Sequence, residues 1–487
     1  MNQYDVILIR AQIVSLYRAV FPPFGAIFLG SRLKKQGYRV KIFDGQIETL
    51  ENLKQLLKES EPIWIGFTDV LTGPAIKSNL EIAQQVRQVR PDIPLVWGGP
   101  HPTVIPEQTV SHESVDIVGI GEGERTVLEL TETLKANGDL SKVPGLAFIK
   151  NGQIVVTPSR ELITDWDKEV SLDWDLVDFK QYINQVGSFK NIPIITSRGC
   201  PFRCGFCYNL KANQRKYRGW SIEQTIKELK KLMDRGIDYI TFEDDNFLVD
   251  KQRTREIVKF LYRNNIKWGA DNGFRVDSLD EETLKTFQET GCDHIAFGAE
   301  SGSQRILDFI RKDIQTEQIL KATQLITQYN MGAKYSWMVG IPNESKEDVY
   351  QTLDLIDQIV KINPQTAHYI GLFSPYPGIF LAEKALEAGW QMPQSLPDWA
   401  LLREEQKPAY IKNIWSLRTI ISSCYFNFAL ETRSRTFSSG LKYKFFIRIF
   451  QKIARFRWRY RFFSCPLDFI FLSLGKKILE KFQSFKM

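Results

Sequence analysis

Cysteine and histidine are scarce in this chain, six and four residues in 487. Six thiols in so long a chain do not suggest disulfides, since a cytosol would keep them reduced; their clustering points to a metal. Long hydrophobic runs are absent too. None approaches the roughly 18 residues of a membrane-spanning helix, and the nearest, Cys465 to Gly475, is broken by Asp468. The N-terminus has no basic stretch ahead of an apolar one and no small-residue cleavage site, so no secretory signal is read there. An excess of one charge is also missing: 64 basic and 57 acidic residues leave +7, too little to imply a nucleic-acid partner unless it clusters. These absences predict a cytoplasmic, globular protein of two or three domains.

What is present is alternation. Short β-rich runs at Tyr4 to Ile9, Tyr38 to Asp44, Pro62 to Asp69, Ile93 to Gly99 and Val115 to Gly121 are separated by segments of helical periodicity. That spacing argues for βαβ units and a parallel sheet covered on both faces, a doubly wound Rossmann-like domain over residues 1–145. Leu146 to Arg160 reads as a hairpin about Asn151-Gly152, within a linker over 146–188. From Ile192 six more strand-like runs alternate with helices, and several end in glycine or polar residues. They predict a partial (β/α)6 barrel of TIM type over 189–392, with its active site at the strands' C-terminal ends. Beyond it, 393–487 reads as a basic, aromatic-rich, mainly helical region. The fold class is therefore α/β.

Cys200, Cys204 and Cys207 stand in the pattern CxxxCxxC, directly after the first barrel-type strand. Soft thiolates suit zinc and iron–sulfur clusters. A structural zinc needs a closed set of four ligands, and the candidates for the fourth, Cys292 or His294, open a different strand. A 4Fe-4S cluster commonly takes four cysteines, so three leave one iron open.

The loop, with Phe206 just before its last cysteine, resembles the radical S-adenosylmethionine (SAM) enzymes. The resemblance implies one 4Fe-4S cluster on Cys200, Cys204 and Cys207, with SAM chelating the open iron. It further implies an external electron donor such as flavodoxin or ferredoxin, and cleavage of SAM to a 5′-deoxyadenosyl radical. Phe206 and Tyr208 would flank SAM. Glu243, Asp244 and Asp245 match the strand end that holds its amino group, where carboxylates suit a cationic donor. Arg275 joins these SAM contacts; Glu300 and Ser301 match the segment near the ribose or methionine portion, and Gly340 the glycine that lets backbone approach adenine. Each motif also has an ordinary reading, an acidic run as a helix start and Gly-Ile-Pro as a turn.

The first domain resembles that of the cobalamin-binding class of the superfamily. Phe21 to Asp44, Ile65 to Pro74, Val96 to Glu107 and Ile117 to Leu130 match its succession of motifs. The resemblance places cobalamin against Thr68, Gly98, Gly99, His101, Gly121, Glu122 and Gly123, where glycines let backbone come close. The DxHxxG motif that supplies an axial histidine elsewhere is absent, which leaves a degenerate domain without cobalamin as an alternative. No cysteine precedes Cys200, unlike the methylthiotransferases of tRNA with their second cluster.

Gly440 to Phe463 interleaves Arg455, Arg457, Arg459 and Arg461 with aromatics. It fits helices packed on the barrel with snorkelling cations, an interfacial element on anionic membrane, or a stacking surface for single strands. The expected activity is cobalamin-dependent methyl transfer to an unactivated carbon of a small molecule, lipid-like or tetrapyrrole, with peripheral membrane contact and no nucleic acid. Radical cyclisation or rearrangement, as in the anaerobic magnesium-protoporphyrin monomethyl ester cyclase, is the alternative. A non-catalytic sensor is the reading from another class.

Overall fold

The computed structural model describes residues 4–11, 20–402, 410–429 and 444–464. They divide into two compact units. The first takes in the chain up to Ile266 with Ser374–Glu383 and the described residues from Gln391; the second takes in Lys267–Phe373, Lys384–Trp390 and the described residues from Tyr410. Cys465 to Gly475 lies outside the described residues.

In the first unit β1 (Val6–Arg10), β2 (Val40–Asp44), β3 (Trp64–Phe67), β4 (Leu95–Gly98) and β5 (Ile117–Gly119) form a parallel sheet in the order β2-β1-β3-β4-β5. β1, VILIR, is buried at every position, as expected where helices cover both faces. The hairpin, β6 (Leu146–Lys150) and β7 (Gln153–Val156), extends this same sheet: β6 pairs antiparallel with β5. Asn151 and Gly152 take φ of 52° and 77°, the conformation a two-residue hairpin turn requires. In the segment beyond, Trp166 and Trp174 are fully buried, and Phe28, Trp166 and Trp220 pack together with ring centroids 6.0–6.5 Å apart.

β8 (Asn184–Val186) and β9 (Phe189–Ile194) form a hairpin, followed by the two-residue pair β10 (Ser197–Arg198) and β11 (Arg218–Gly219), and β12 (Tyr239–Phe242) lies parallel to β9. In the second unit β13 (Lys267–Phe274), β14 (Cys292–Glu300), β15 (Lys334–Val339) and β16 (Ala367–Leu372) run parallel in sequential order. Each of β9, β12 and β13–β16 is followed in the chain by a helix, six βα repeats as expected of a partial barrel. Helix starts are set locally: Asp280 accepts from Thr283 N, and Ser345 with Asp348 forms a capping box. The C-terminal region contributes helices Ile414–Cys424 and Lys444–Tyr460. Among the described residues no helix is long and apolar enough to cross a membrane.

Candidate functional site

The loop after β10 carries the three cysteines, Cys204 buried, Cys200 and Cys207 half-buried. Gly199 precedes them at φ 90°, and any Cβ there would run into the Lys216 carbonyl. Its N–H donates to Asp245 Oδ2 at 2.6 Å. Cys207 N closes a turn on Cys204 O at 3.1 Å, Asn209 N donates to Cys207 Sγ at 3.4 Å, and Asn246 Nδ2 to Cys200 Sγ at 3.7 Å. Burial pushes the Cys207 thiol up to about 12, so a cationic centre is what would hold it as thiolate. Among the described residues no three His, Cys, Asp or Glu side chains are set to hold a single metal ion. The candidate zinc ligands are engaged elsewhere: Cys292 Sγ donates to the His294 carbonyl at 3.5 Å, and His294 faces Asp271 and Asp293, each at 3.1 Å.

The carboxylates after β12 divide their work. Asp244, 1% exposed, accepts from Thr196 N at 3.2 Å, Thr196 Oγ1 at 2.8 Å and Ser197 Oγ. Burial raises its pKa, against the pull of Arg253 and these donors. Asp245 holds Gly199. These two brace the cysteine loop, while Glu243 is half-buried at the strand end with its N–H on Ile194 O. Sequence reasoning missed Asn246 and Arg253; the latter, 5% exposed, donates to Thr196 O and Thr196 Oγ1 at 3.2 and 3.0 Å. An asparagine directly after the acidic pair was the available signal for the first.

A cavity of about 290 Å³ opens at the carboxyl ends of β3, β4 and β5. Thr68, Gly98, Gly99, Gly121, Glu122 and Gly123 line it. A Cβ at Gly98 or Gly121 would meet nothing within 4 Å, so both glycines face open space, a cradle suited to a large planar cofactor. Gly99, at φ 123°, admits the Val70 N–H, where a Cβ would lie 2.5 Å away. Glu122 lines the cavity but is held by Arg218 Nη1 at 2.7 Å and Ile163 N at 2.8 Å.

His101 does not line the cavity. It is fully buried, with Nδ1 3.0 Å from Thr72 Oγ1 and its ring edge-on to Trp399, and burial lowers its pKa to about 4. None of the four histidines lines it. Asp69 does, unforeseen from sequence: half-buried at φ 55°, its carboxylate covers Gly25 at the start of the helix Phe24–Lys35.

Two residues flanking the cysteines complete that cavity's wall. Arg198 lies over the rings of Phe28 and Trp166 at 4.7 and 5.0 Å and pairs with Glu124 at 2.7 Å. Tyr208, expected beside SAM, lines the α/β-domain cavity; its hydroxyl bonds to Thr103, whose Oγ1 also accepts from Gly121 N at 3.1 Å. Phe206 is half-buried in the cysteine loop.

In the second unit Glu300, 7% exposed at φ 68°, pairs with Lys312 Nζ at 2.9 Å. Arg275 donates to the carbonyls of Lys312 and Asp313 at 2.6 and 3.1 Å and pairs with Asp277, so it reaches Glu300 through the Lys312 loop. Ser301 is buried against Thr352, its Oγ accepting from Ser303 N. Gly340, at φ 80°, sits where a Cβ would meet Leu372 Cδ1 at 2.7 Å; its N–H donates to Glu344 at 2.6 Å. Burial lifts the Glu344 carboxyl to about 8.

Comparison with known proteins matches residues 194–356 to the radical SAM superfamily and residues 12–131 to the B12 binding domain. An uncharacterised methyltransferase of Pyrococcus horikoshii is 32% identical over 374 residues, 75% of this chain and 78% of that protein. The anaerobic magnesium-protoporphyrin IX monomethyl ester cyclase of Cereibacter sphaeroides is 28% identical over 349 residues, 68% of this chain and 56% of its own length. Among solved structures, the cobalamin-dependent SAM radical enzyme OxsB with aqua-cobalamin bound aligns over 98% of this chain and 75% of its own, at TM-score 0.73 and 19% identity. That likeness is one of fold: a Rossmann-like sheet, a partial barrel and a helical C-terminal part.

Proposed function

The chain belongs to the cobalamin-binding class of the radical SAM superfamily, and from that membership we propose a methyltransferase acting on an unactivated carbon of a small molecule. One observation carries the reading: Arg198, two residues before Cys200, and Tyr208, next after Cys207, both line the glycine-rimmed cavity of the α/β domain. The chain is thus built to bring a cofactor in that cavity beside whatever the cysteines bind. When bound, the cluster with SAM would supply a radical able to take hydrogen from carbon, and cobalamin would supply a methyl group.

The chain's own residues do the holding. Cys200, Cys204 and Cys207 would ligate the cluster, with Asp244, Asp245 and Asn246 fixing their loop. Glu243 would take the SAM amino group, and Gly340 would expose backbone to adenine. Thr68, Gly98, Gly99, Gly121 and Gly123 would line the corrin, and Tyr208 with Thr103 would bound its edge. An external one-electron donor completes the system. The open cradle supports a cobalamin-holding domain over a degenerate one. Likeness to the cyclase favours a second reading, radical ring closure on a tetrapyrrole, over part of that relative's length.

Anaerobic reconstitution should load one 4Fe-4S cluster, and reductant should then turn SAM into 5′-deoxyadenosine. Hydroxocobalamin should be taken up stoichiometrically, read in the visible spectrum. Cys204→Ala should load no cluster yet still take up cobalamin. A loaded protein that never cleaves SAM would sink the enzyme reading; a methylated or a ring-closed product would separate the two reactions.

A further inference from the structure

We propose that the helix Lys444–Tyr460 docks on an anionic lipid surface. Residues 444–464 contain Lys444, Arg448, Lys452, Arg455, Arg457, Arg459 and Arg461 and no Asp or Glu, a local charge equal to the +7 of the entire chain. The helix is fixed to its own unit along one side. Trp458 Nε1 donates to Asp357 Oδ1 at 2.7 Å and its ring meets Phe428 edge-on at 5.0 Å. Arg461 reaches Asp354 and Asp357 at 2.8 and 2.6 Å, and Ala454, Arg457 and Trp458 are buried.

The other side carries two parallel stripes. Ile449, Phe456 and Tyr460, at i, i+7 and i+11, are 40%, 55% and 61% exposed. Alongside them Arg448, Lys452, Arg455 and Arg459, at i, i+4, i+7 and i+11, are all exposed. Residues at these spacings share a helix face. Phe462, 45% exposed, continues the apolar stripe past the helix end.

An apolar stripe beside a cationic one matches a bilayer interface, which offers hydrocarbon to the first and headgroup phosphates to the second. Single-stranded nucleic acid would satisfy the cations and stack on Phe456 and Tyr460 but leave Ile449 without an apolar partner. A second copy of this chain would set cation against cation across a two-fold interface. Anchored by Trp458 and Arg461, the helix presents these stripes without having to unfold.

The test is flotation of the full chain with vesicles of phosphatidylcholine alone and with a quarter phosphatidylglycerol. Binding is expected to the anionic vesicles, with little to the neutral ones, and to fall at high salt. Each surface cation removed should weaken partitioning about five-fold, so Lys452→Ser with Arg459→Ser should weaken it roughly 25-fold. Phe456→Ser should weaken it at every salt concentration. Cluster absorbance and SAM cleavage should be unchanged, showing the variants are folded. Equal flotation with both vesicle types, variants that float as the parent does, or retention of a single-stranded oligonucleotide without vesicle binding would each overturn the proposal.

Discussion

His101 stands in the short helix Pro100–Val104, directly after the cavity-lining Gly98 and Gly99, yet its ring turns into the protein, onto Thr72 and Trp399. Burial without a charged partner lowers its pKa from 6.5 to about 4, and burial lowers that of His368 to about 3. The unfolded chain therefore binds protons between pH 6.5 and these values while the folded chain does not. The stabilisation is complete above pH 6.5 and is lost as pH falls. By pH 5 each ring should have cost about 2 kcal/mol. His101→Gln should flatten the decline in urea midpoint between pH 7 and pH 5; an unchanged slope would show that this ring titrates alike in both states.

At the level of the element, the cysteine loop is held by backbone geometry as much as by its thiols. Gly199 combines φ 90° with a Lys216 carbonyl where a Cβ would lie. Gly199→Ala should cost on the order of 2–4 kcal/mol and reduce the iron retained after reconstitution, read by urea titration and iron content. Wild-type stability with a full cluster would refute that account. The loop's position was legible in CxxxCxxC following a strand, and the hairpin in Asn151-Gly152. The contacts by which Asp244 and Asp245 brace that loop were not, because their partners Thr196 and Gly199 lie 48 and 46 residues away.

Across the first unit, Arg198 and Arg218 on the paired strands β10 and β11 meet Glu122 and Glu124 from the turn after β5. This ion network joins the cofactor cradle to the cysteine loop, and Glu124 is only 2% exposed. Arg198→Met would leave that carboxylate buried without its cation. The variant should lose about 3–5 kcal/mol and take up cobalamin more weakly, measured by denaturant unfolding and visible titration. Losing neither would show that the network does not couple cradle to loop.

The sequence by itself determined the βα order, the three thiols with no fourth, and the glycines at the strand ends, because periodicity, covalent spacing and backbone freedom are local properties. Tertiary structure decided which polar groups are spent on the protein itself: His101 inside the core, Tyr208 on Thr103, Arg275 on the Lys312 loop. Partner choice depends on burial and on contacts between residues far apart in the chain, where an unpaired polar group is costly. That selection is made when the core closes, and no local pattern records it.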